Sequence, residues 1–551
     1  MLPVTININP RIKLANSKAL EQRLKETLQH VMQRYGIQYA TEVKVIQQEP
    51  ADYVVSVHIN GEELVSSYFL ANFIWCYTKD MHIENNNSEK ILLNEISEYN
   101  DEKIVEPFLH DYVIEIVKEN MEALVTDELV EKILDEQGLP FRNAFYFAGK
   151  ILIKKLLAHH ISIDRFRSRF NEIADKNAED LGEEIIAESR NKMVTIVCSE
   201  NYFLDIISGF NNSDKNIFKT IDEGMFYELG IDFPDVEFKM NDDVPYGLFR
   251  ICVNDFETML IKGLNATEAI ILQTDLIVAE NFSSSHLQTI IHPANNRLCN
   301  IINDTDEAPP DVQIWPPFAF MALYLVNLYQ RKANLFFDLN TAKNIISELN
   351  ITHPQLMECV RKKANEYFIC RILRSLLEEK ISLRNMESIF QSIVDFDYIV
   401  ADGMNNIVFD SRLTTLTEPD EEWLKNPDNI ADFARINLKH YISSAATNSS
   451  YSLSVYLLDP EIEKLIINTA GKASVDILSA EIIRCAEKEI ANNSNSFYPV
   501  LTTVEVRKKC KRIIEKRFPD LSVLCYQELA PQTNITAVSR ITLTTANYTK
   551  A

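Results

Sequence analysis

Residues 368–396 read FICRILRSLLEEKISLRNMESIFQSIVDF, and the rest of the chain is organised around them. Ile372, Leu373, Leu376 and Leu377 share one face of an α-helix, and Met386, Ile389, Phe390 and Ile393 share one face of a second. A turn at Lys380–Ser382 separates the two, with Ser382 as the expected N-cap. The same text occurs earlier. Residues 151–170, ILIKKLLAHHISIDRFRSRF, align without a gap on 371–390. Leu156, Leu157, Ile161, Ser162, Ser168 and Phe170 match Leu376, Leu377, Ile381, Ser382, Ser388 and Phe390. Because the turn matches as well as the apolar face, the pattern reads as an internal repeat.

Outward from these pairs, each half begins alike. Val4, Ile6 and Ile8 alternate as a strand, Ser17–Tyr35 is a helix stopped near Gly36, and Val43 and Val45 open a second strand. Tyr53 to Ile59 then alternate into Asn60-Gly61, a dipeptide suited to a two-residue hairpin. In the second half Val194–Cys198 is a strand, Ile217–Leu229 a helix stopped at Gly230, and Val236–Phe238 a strand. Leu248, Ile251 and Val253 lead into Asn254-Asp255. Helices follow in both halves, preceded by Pro107 in one and by Pro309, Pro310, Pro316 and Pro317 in the other. Residues 83–103 read as a loop or linker and 171–192 as a charged helical or loose connector. Around Asp402-Gly403 the chain reads either as a small hairpin or as a loop.

The tail has no counterpart in the first half. After a helix at Phe433–Ile442, its pattern is strand, two helices, strand, helix and two strands, which predicts a small sheet with helices packed on it. The fold class expected is α+β and multi-domain, with small α/β sheet modules alternating with helical modules, internally duplicated. The expected modules are α/β at 1–104, helical at 105–190, α/β at 191–310, helical with an inserted loop at 311–446, and α/β at 447–551.

The formal charge is −25, which argues against sequence-independent nucleic-acid binding and favours basic partners. No apolar run reaches the roughly 18 to 20 residues of a membrane helix, the nearest being Leu64–Thr78, and no signal peptide opens the chain. The nine cysteines are scattered without a CxxC pair, which fits a reducing cytosol and no zinc cage. No phosphate loop, HExxH or GxSxG is present, so no cofactor, metal or catalytic residue is expected. His159-His160 reads as a polar pair at a turn, Ser283–His286 as a polar loop, and Glu378, Glu379 and Lys380 as a solvated helix face. Asp459 and Glu461 suit the N-terminus of the next helix. The aromatic residues are read first as core. Phe249 and Phe256, which flank Ile251 and Val253, and the cluster Tyr68, Phe69, Phe73 and Trp75 become docking residues if they stand exposed in a cleft.

Three stretches of the tail resemble one known family: ARINLKHYIS at 434–443, SVYLLDPEIEKLI at 454–466, and PVLTTVEVRKKCKRIIEKRFPDLSVLCYQEL at 499–529. They are similar to the cytosolic domain of type III secretion export-gate (FHIPEP) proteins, nearer the virulence branch than the flagellar one. LLEEKISLRNMESIF at 376–390 resembles that family's LL-x-E-x-(V/I)-S-I-R-(N/D) stretch, and LGIDFPDVEF at 229–238 its LG-x-x-x-P. The resemblance covers about 193–551 and is weak over 1–185. It implies a four-part cytosolic domain that assembles as a ring under the gate and docks secretion chaperones with their cargo. The membrane region and the FHIPEP hexapeptide of the family do not occur in this sequence, so it is not an export gate by itself. The function expected is a soluble, non-enzymatic protein-binding scaffold of the bacterial cytoplasm, reaching the inner membrane only through partners. Those partners are chaperone–cargo complexes, other export-apparatus proteins and further copies of the chain. The alternatives are a hydrolase or transferase with a site assembled from dispersed residues, and a degenerate duplicate that keeps only the fold.

Overall fold

The computed structural model describes residues 2–10, 12–38, 40–47, 55–60, 62–64, 102–139, 143–189, 193–208, 217–232, 234–254, 256–274, 288–294, 297–303, 312–402, 425–447, 450–469, 472–492, 498–515, 518 and 521–543. The chain divides into two compact units, Met1–Leu339 and Asn340–Ala551.

The first unit opens with β1 (Leu2–Ile8), α1 (Ser17–Arg34), β2 (Thr41–Gln47), β3 (Val55–Ile59) and β4 (Glu62–Leu64). Asn16 caps α1 by accepting the Ala19 N–H at 3.1 Å, and Leu20, Leu24, Leu28 and Met32 form its buried stripe. Gly36 ends the helix at φ +79, where a Cβ would lie 2.7 Å from Asp164 Oδ1. The sheet order is β2-β1-β3-β4, with β1 parallel to β2 and antiparallel to β3. As expected from Asn60-Gly61, a two-residue turn joins β3 and β4, with Ile59 opposite Glu62 and Asn60 at φ 53. Tyr53, Gly61, the aromatic cluster at 68–75 and most of the linker at 83–103 lie outside the described residues.

Helices α2 (Glu102–Glu119), α3 (Asp127–Glu136) and α4 (Asn143–Ala158), a 3-10 helix (Ile163–Ala174) and α5 (Ala178–Ser189) complete this segment. Pro107 lies inside α2 rather than ahead of it. Of the helical and loose alternatives for 171–192, the helical one holds over Ala178–Ser189, and that helix is packed. Leu181, Ile185 and Ile186 of α5 are buried, and Lys155 of α4 bridges Glu179 at 2.6 Å and the buried Glu183 at 2.9 Å.

The remainder of the unit holds β5 (Met193–Cys198), α6 (Glu200–Ser208), α7 (Ile217–Leu229), β6 (Asp235–Met240), β7 (Leu248–Val253), β8 (Phe256–Glu257) and β9 (Ile261–Lys262). The pattern between Cys198 and Ile217 gave no helix, so α6 is an addition. The order is β6-β5-β7-β8, again with a parallel pair and an antiparallel pair about the first strand. Val253 opposes Phe256 across a second two-residue turn, with Asn254 at φ 54. A small antiparallel sheet follows, ordered β11-β12-β10-β13 and built from β10 (Ala269–Leu272), β11 (Thr289–Ile291), β12 (Leu298–Ile302) and β13 (Ile314–Trp315). Helix α8 (Pro317–Arg331) starts with Pro317 in its first turn, where the missing N–H removes no intrahelical bond.

The second unit begins within α9 (Leu339–Thr352) and continues through α10 (Pro354–Arg361), α11 (Glu366–Glu378) and α12 (Met386–Asp402). Helix α12 runs to Asp402, so the hairpin alternative beginning at Ile399 is corrected, and 403–424 lie outside the described residues. The cap is Asn385, whose Oδ1 accepts the Ser388 N–H at 3.3 Å. Ser382 instead accepts the Arg384 N–H at 3.4 Å within the turn. The turn is alike in the two segments. His160 and Lys380 both adopt positive φ, 56 and 58. Ile161 N–H donates to Leu156 C=O and Ile381 N–H to Leu376 C=O, both at 2.9 Å, which is one C-terminal helix motif used twice. After the turn the segments diverge, into a 3-10 helix in one and the α-helix α12 in the other.

The expected single helix at 433–442 is two, α13 (Pro427–Asn437) and α14 (Lys439–Thr447). The tail follows its pattern throughout. It contains β14 (Ser452–Leu458), α15 (Pro460–Asn468), α16 (Lys472–Asn492), β15 (Val500–Thr502), α17 (Val504–Ile514), β16 (Val523–Cys525) and β17 (Asn534–Ile541). All neighbours in the order β16-β15-β14-β17 are parallel. Asp459 caps α15 by accepting the Glu461 N–H at 2.8 Å.

Candidate functional site: an exposed aromatic helix, a hairpin clasp and a buried charge cluster

Phe249 and Phe256 are both buried, so neither stands exposed in a cleft. Phe249, on β7 opposite Ile261, meets Tyr324 of α8 edge to face at 5.8 Å between centroids. Phe256 opens β8 and stacks on the imidazole of His160 at 4.5 Å. His160 therefore does more than end a helix. The positive-φ turn that closes α4 sets its ring on the β8 hairpin.

Several contacts fasten the same hairpin to residues 1–190. Arg34 bridges Glu257 at 2.9 Å and Lys118 Nζ donates to the Glu257 carbonyl at 3.2 Å, while Arg250, on β7 within the hairpin, reaches the same carboxylate at 3.2 Å. Met259 belongs to the hydrophobic core of the N-terminal segment, and Leu298 packs against it. Two titratable groups are enclosed here. Burial pushes the Glu115 carboxyl on α2 up to about 8, opposed by Lys118 and Lys332 and reinforced by Glu119. Burial pushes the His160 imidazole down to about 3, helped by Lys332. At neutral pH both are uncharged, which is what an apolar seam requires.

Exposed aromatic surface lies elsewhere in the unit. On α7, Phe226 is 45% and Tyr227 66% exposed, their rings edge to face at 6.4 Å, with Glu223, Gly224 and Glu228 exposed beside them. Adjacent exposed rings on one helix are the kind of surface that anchors a protein partner. The helical periodicity of 217–229 shows the element, but aromatic residues on its buried and exposed sides look alike in sequence.

In the second unit the solvated face expected at 378–380 is corrected for Glu379. This carboxylate lies among Arg435 of α13, Arg507 of α17, Asp432 and Glu528. Arg435 grips Glu528 through two parallel bonds of 2.6 and 3.0 Å and touches Glu379 at 3.2 Å. The Arg507 side chain is 0% exposed and that of Glu528 1%; Arg507 bonds Glu379 at 2.9 Å and also pairs with Asp432. Three carboxylates face two guanidiniums. Burial raises the Glu379 pKa, but Arg435 and Arg507 outweigh it and hold the carboxyl well below its usual range. Asp432 goes the other way: burial lifts it, Arg507 opposes, and Glu379 adds to the rise. Beside this cluster Asp428 takes Lys508 at 2.6 Å, Ser375 at 2.9 Å and Arg512 at 3.3 Å. Helices α11, α13 and α17 are thereby joined by charge. Among the described residues no group of three or more His, Cys, Asp or Glu is arranged to hold a metal ion. Ser283–His286 lie outside the described residues.

Small sheets alternating with helical layers define a modular α+β protein. The chain belongs to the FHIPEP family, whose sequence model matches residues 137–534. That match begins within the N-terminal segment, earlier than the resemblance read from the tail. Among curated relatives, the low calcium response locus protein D of Yersinia pestis is 22% identical over 58% of this chain and 43% of its own length. Invasion protein InvA of Salmonella typhimurium is 26% identical over 38% and 28%. Protein hrpC2 of Xanthomonas euvesicatoria is 24% identical over 40% and 32%. The chain thus spans less than half the length of these relatives. The solved structure of the Chlamydia pneumoniae CdsV protein shares the fold, with a TM-score of 0.50 and 19% identity, over 64% of this chain and 98% of that one. CdsV in its complex with CdsO gives 0.51 and 20%, over 63% and 97%. No helix among the described residues is long and apolar enough to cross a membrane.

Proposed function

We propose that this chain is a non-enzymatic scaffold of a type III secretion export apparatus. In this reading it docks chaperone–cargo complexes or joins the cytosolic ring, and it works in the bacterial cytoplasm, held near the membrane by its partners. The observation that carries the reading is the family match over 137–534, supported by a fold that spans 98% of the CdsV structure. CdsV has been solved with CdsO, and a protein of that kind is a natural partner for this chain as well. The exposed pair Phe226 and Tyr227 supplies the direct contact. Phe249 and Phe256 contribute from beneath, one fixing β7 against α8 and the other the hairpin against His160. Partner binding is expected to rest on 191–551 more than on 1–190.

The test uses the full chain and purified chaperone–cargo complexes from the same cell, with binding followed by titration calorimetry. Phe226→Ser with Tyr227→Ser should weaken binding at least tenfold while thermal stability stays unchanged, since exposed aromatic anchors dominate such contacts. Undiminished binding by the double variant would remove α7 from the reading. Failure of the unaltered chain to bind any such complex, or a CdsO-like protein, would remove the reading itself.

A further inference from the structure

We propose that the open edge of β6 takes up an extended, basic polypeptide segment as an added strand, roofed by helix α6. Strand β6 is the outermost strand of its sheet and pairs, among the described residues, only with β5. An outer strand offers its free edge to another extended chain, and proteins commonly blunt such edges. The N-terminal sheet does so. Its outer parallel strand, β2, has the Val45 N–H taken by the Glu21 carboxylate at 2.9 Å, while Gln47 turns its amide to the Ile12 carbonyl at 2.8 Å.

Helix α6 extends its apolar face past this edge. At 100° per residue, Tyr202 and Ile206 point into the core, and Phe203 sits at the margin, its ring 5.1 Å from that of Phe238 on β6. Ile207 lies about 40° beyond Phe203, on the β6 side, whereas Leu204 stands roughly 160–200° from the two core residues and faces away from the sheet. Ile207 is 38% exposed, and Met240 at the end of β6 is 40% exposed. Among the described residues no strand lies beyond β6 to cover them.

The chemistry of the occupant follows from the two faces of β6. Toward α6 the strand carries Val236 and Phe238, so alternate residues of the incoming segment are apolar. On the opposite face Asp235, Glu237 and Lys239 are exposed, with Asp242 and Asp243 just beyond. Acidic groups outnumber the single lysine, so the other alternate residues are Lys or Arg. Backbone bonds supply affinity in this mode and the alternating side chains supply selection. This site goes beyond the docking surface on α7 and stands or falls separately from it.

The probe is an acetylated eight-residue peptide alternating Lys or Arg with Val or Leu, titrated into the full chain by fluorescence anisotropy. Its partner probe has Glu in place of every basic residue. The basic peptide should bind, weaken with added salt, and protect the amides of 235–240 from hydrogen exchange. Ile207→Glu with Met240→Glu, both exposed positions, should weaken it at least tenfold, and the acidic peptide should bind at least tenfold more weakly. Absence of binding overturns the proposal. So does equal binding of the acidic peptide, undiminished affinity of the double variant, binding as a helix by circular dichroism, or protection elsewhere than β6.

Discussion

Arg507 and Glu379 meet inside the second unit although 128 residues separate them in sequence, and the guanidinium that joins them has no exposed side-chain surface. A helix-turn residue of the helical layer is thereby held by the main helix of the C-terminal sheet layer. Arg507→Ala leaves Glu379 and Asp432 without that cation and should destabilise the second unit by about 3–5 kcal/mol. Urea unfolding of the full chain, followed by circular dichroism, checks it. The double replacement of Arg507 and Glu379 by Met should cost less than the sum of the two single replacements, because it removes both ends of the contact.

The same cluster sets a response to acid. Glu379 is held below its ordinary 4.5, so its contribution is complete above that pH and is lost as pH falls beneath it. Asp432 is raised from 3.8 and opposes this in part. Glu379→Gln should flatten the loss of second-unit stability between about pH 4.5 and 3, measured by thermal unfolding.

The hairpin clasp of the first unit responds in the other direction. The Glu115 pKa rises from 4.5 to about 8, so its burial is unopposed only below 4.5 and weighs progressively more up to 8. The His160 pKa falls from 6.5 to about 3, so its burial is unopposed above 6.5 and weighs more as pH falls. Between 4.5 and 6.5 the two slopes cancel. Above 6.5 only Glu115 acts, and one proton per molecule corresponds to a loss of roughly 2 kcal/mol by pH 8. Protection factors at 256–262, which remove the intrinsic rise of amide exchange with pH, should fall over that interval in the unaltered chain and stay level in Glu115→Gln.

Equivalent turn positions should respond oppositely to glycine. Lys380 is exposed at φ 58, and Lys380→Gly removes the backbone strain of a side chain in the left-handed region, a gain of about 1 kcal/mol. His160→Gly relieves the same strain but removes the ring stacked on Phe256, so it should destabilise. Thermal melts of both variants give the two signs.

Phe249→Ala should destabilise the first unit by about 3–5 kcal/mol, since its ring is buried against Tyr324. A loss of partner binding in that variant without loss of stability would show that Phe249 touches a partner directly.

Most elements were legible because each carries its own period. The tail shows why: β14, β15 and β16 alternate or run apolar, and α15 and α17 open at Pro460 and after Thr503, so neighbours punctuate one another. The corner at Lys380–Ile381 was legible because it occurs twice. What escaped depends on partners distant in sequence. Glu379 looks solvated beside Glu378 and Lys380, and only the fold brings Arg435 and Arg507 to it. Phe256 and Phe226 have the same apolar character in sequence, yet His160 covers one and nothing in the period of α7 distinguishes the other. Residues 171–192 read as a helical or loose connector; Leu181, Ile185 and Ile186 do fall at helical spacing, but only the fold shows that they are buried and that Lys155 meets Glu183.

Met259 completes the interior of a segment to which it does not belong by sequence, and His160 completes the surface of a hairpin on the other side of the same seam. The two stretches therefore constrain one another. A descendant that shed the first 190 residues would uncover Phe256 and Met259 at once. It would need new polar residues there, or a borrowed cover, before it could stay dispersed in a crowded cell. Drift at 160, 256 or 259 is likewise confined to changes that its opposite number can accommodate, so variation across this seam should be found in matched sets rather than singly.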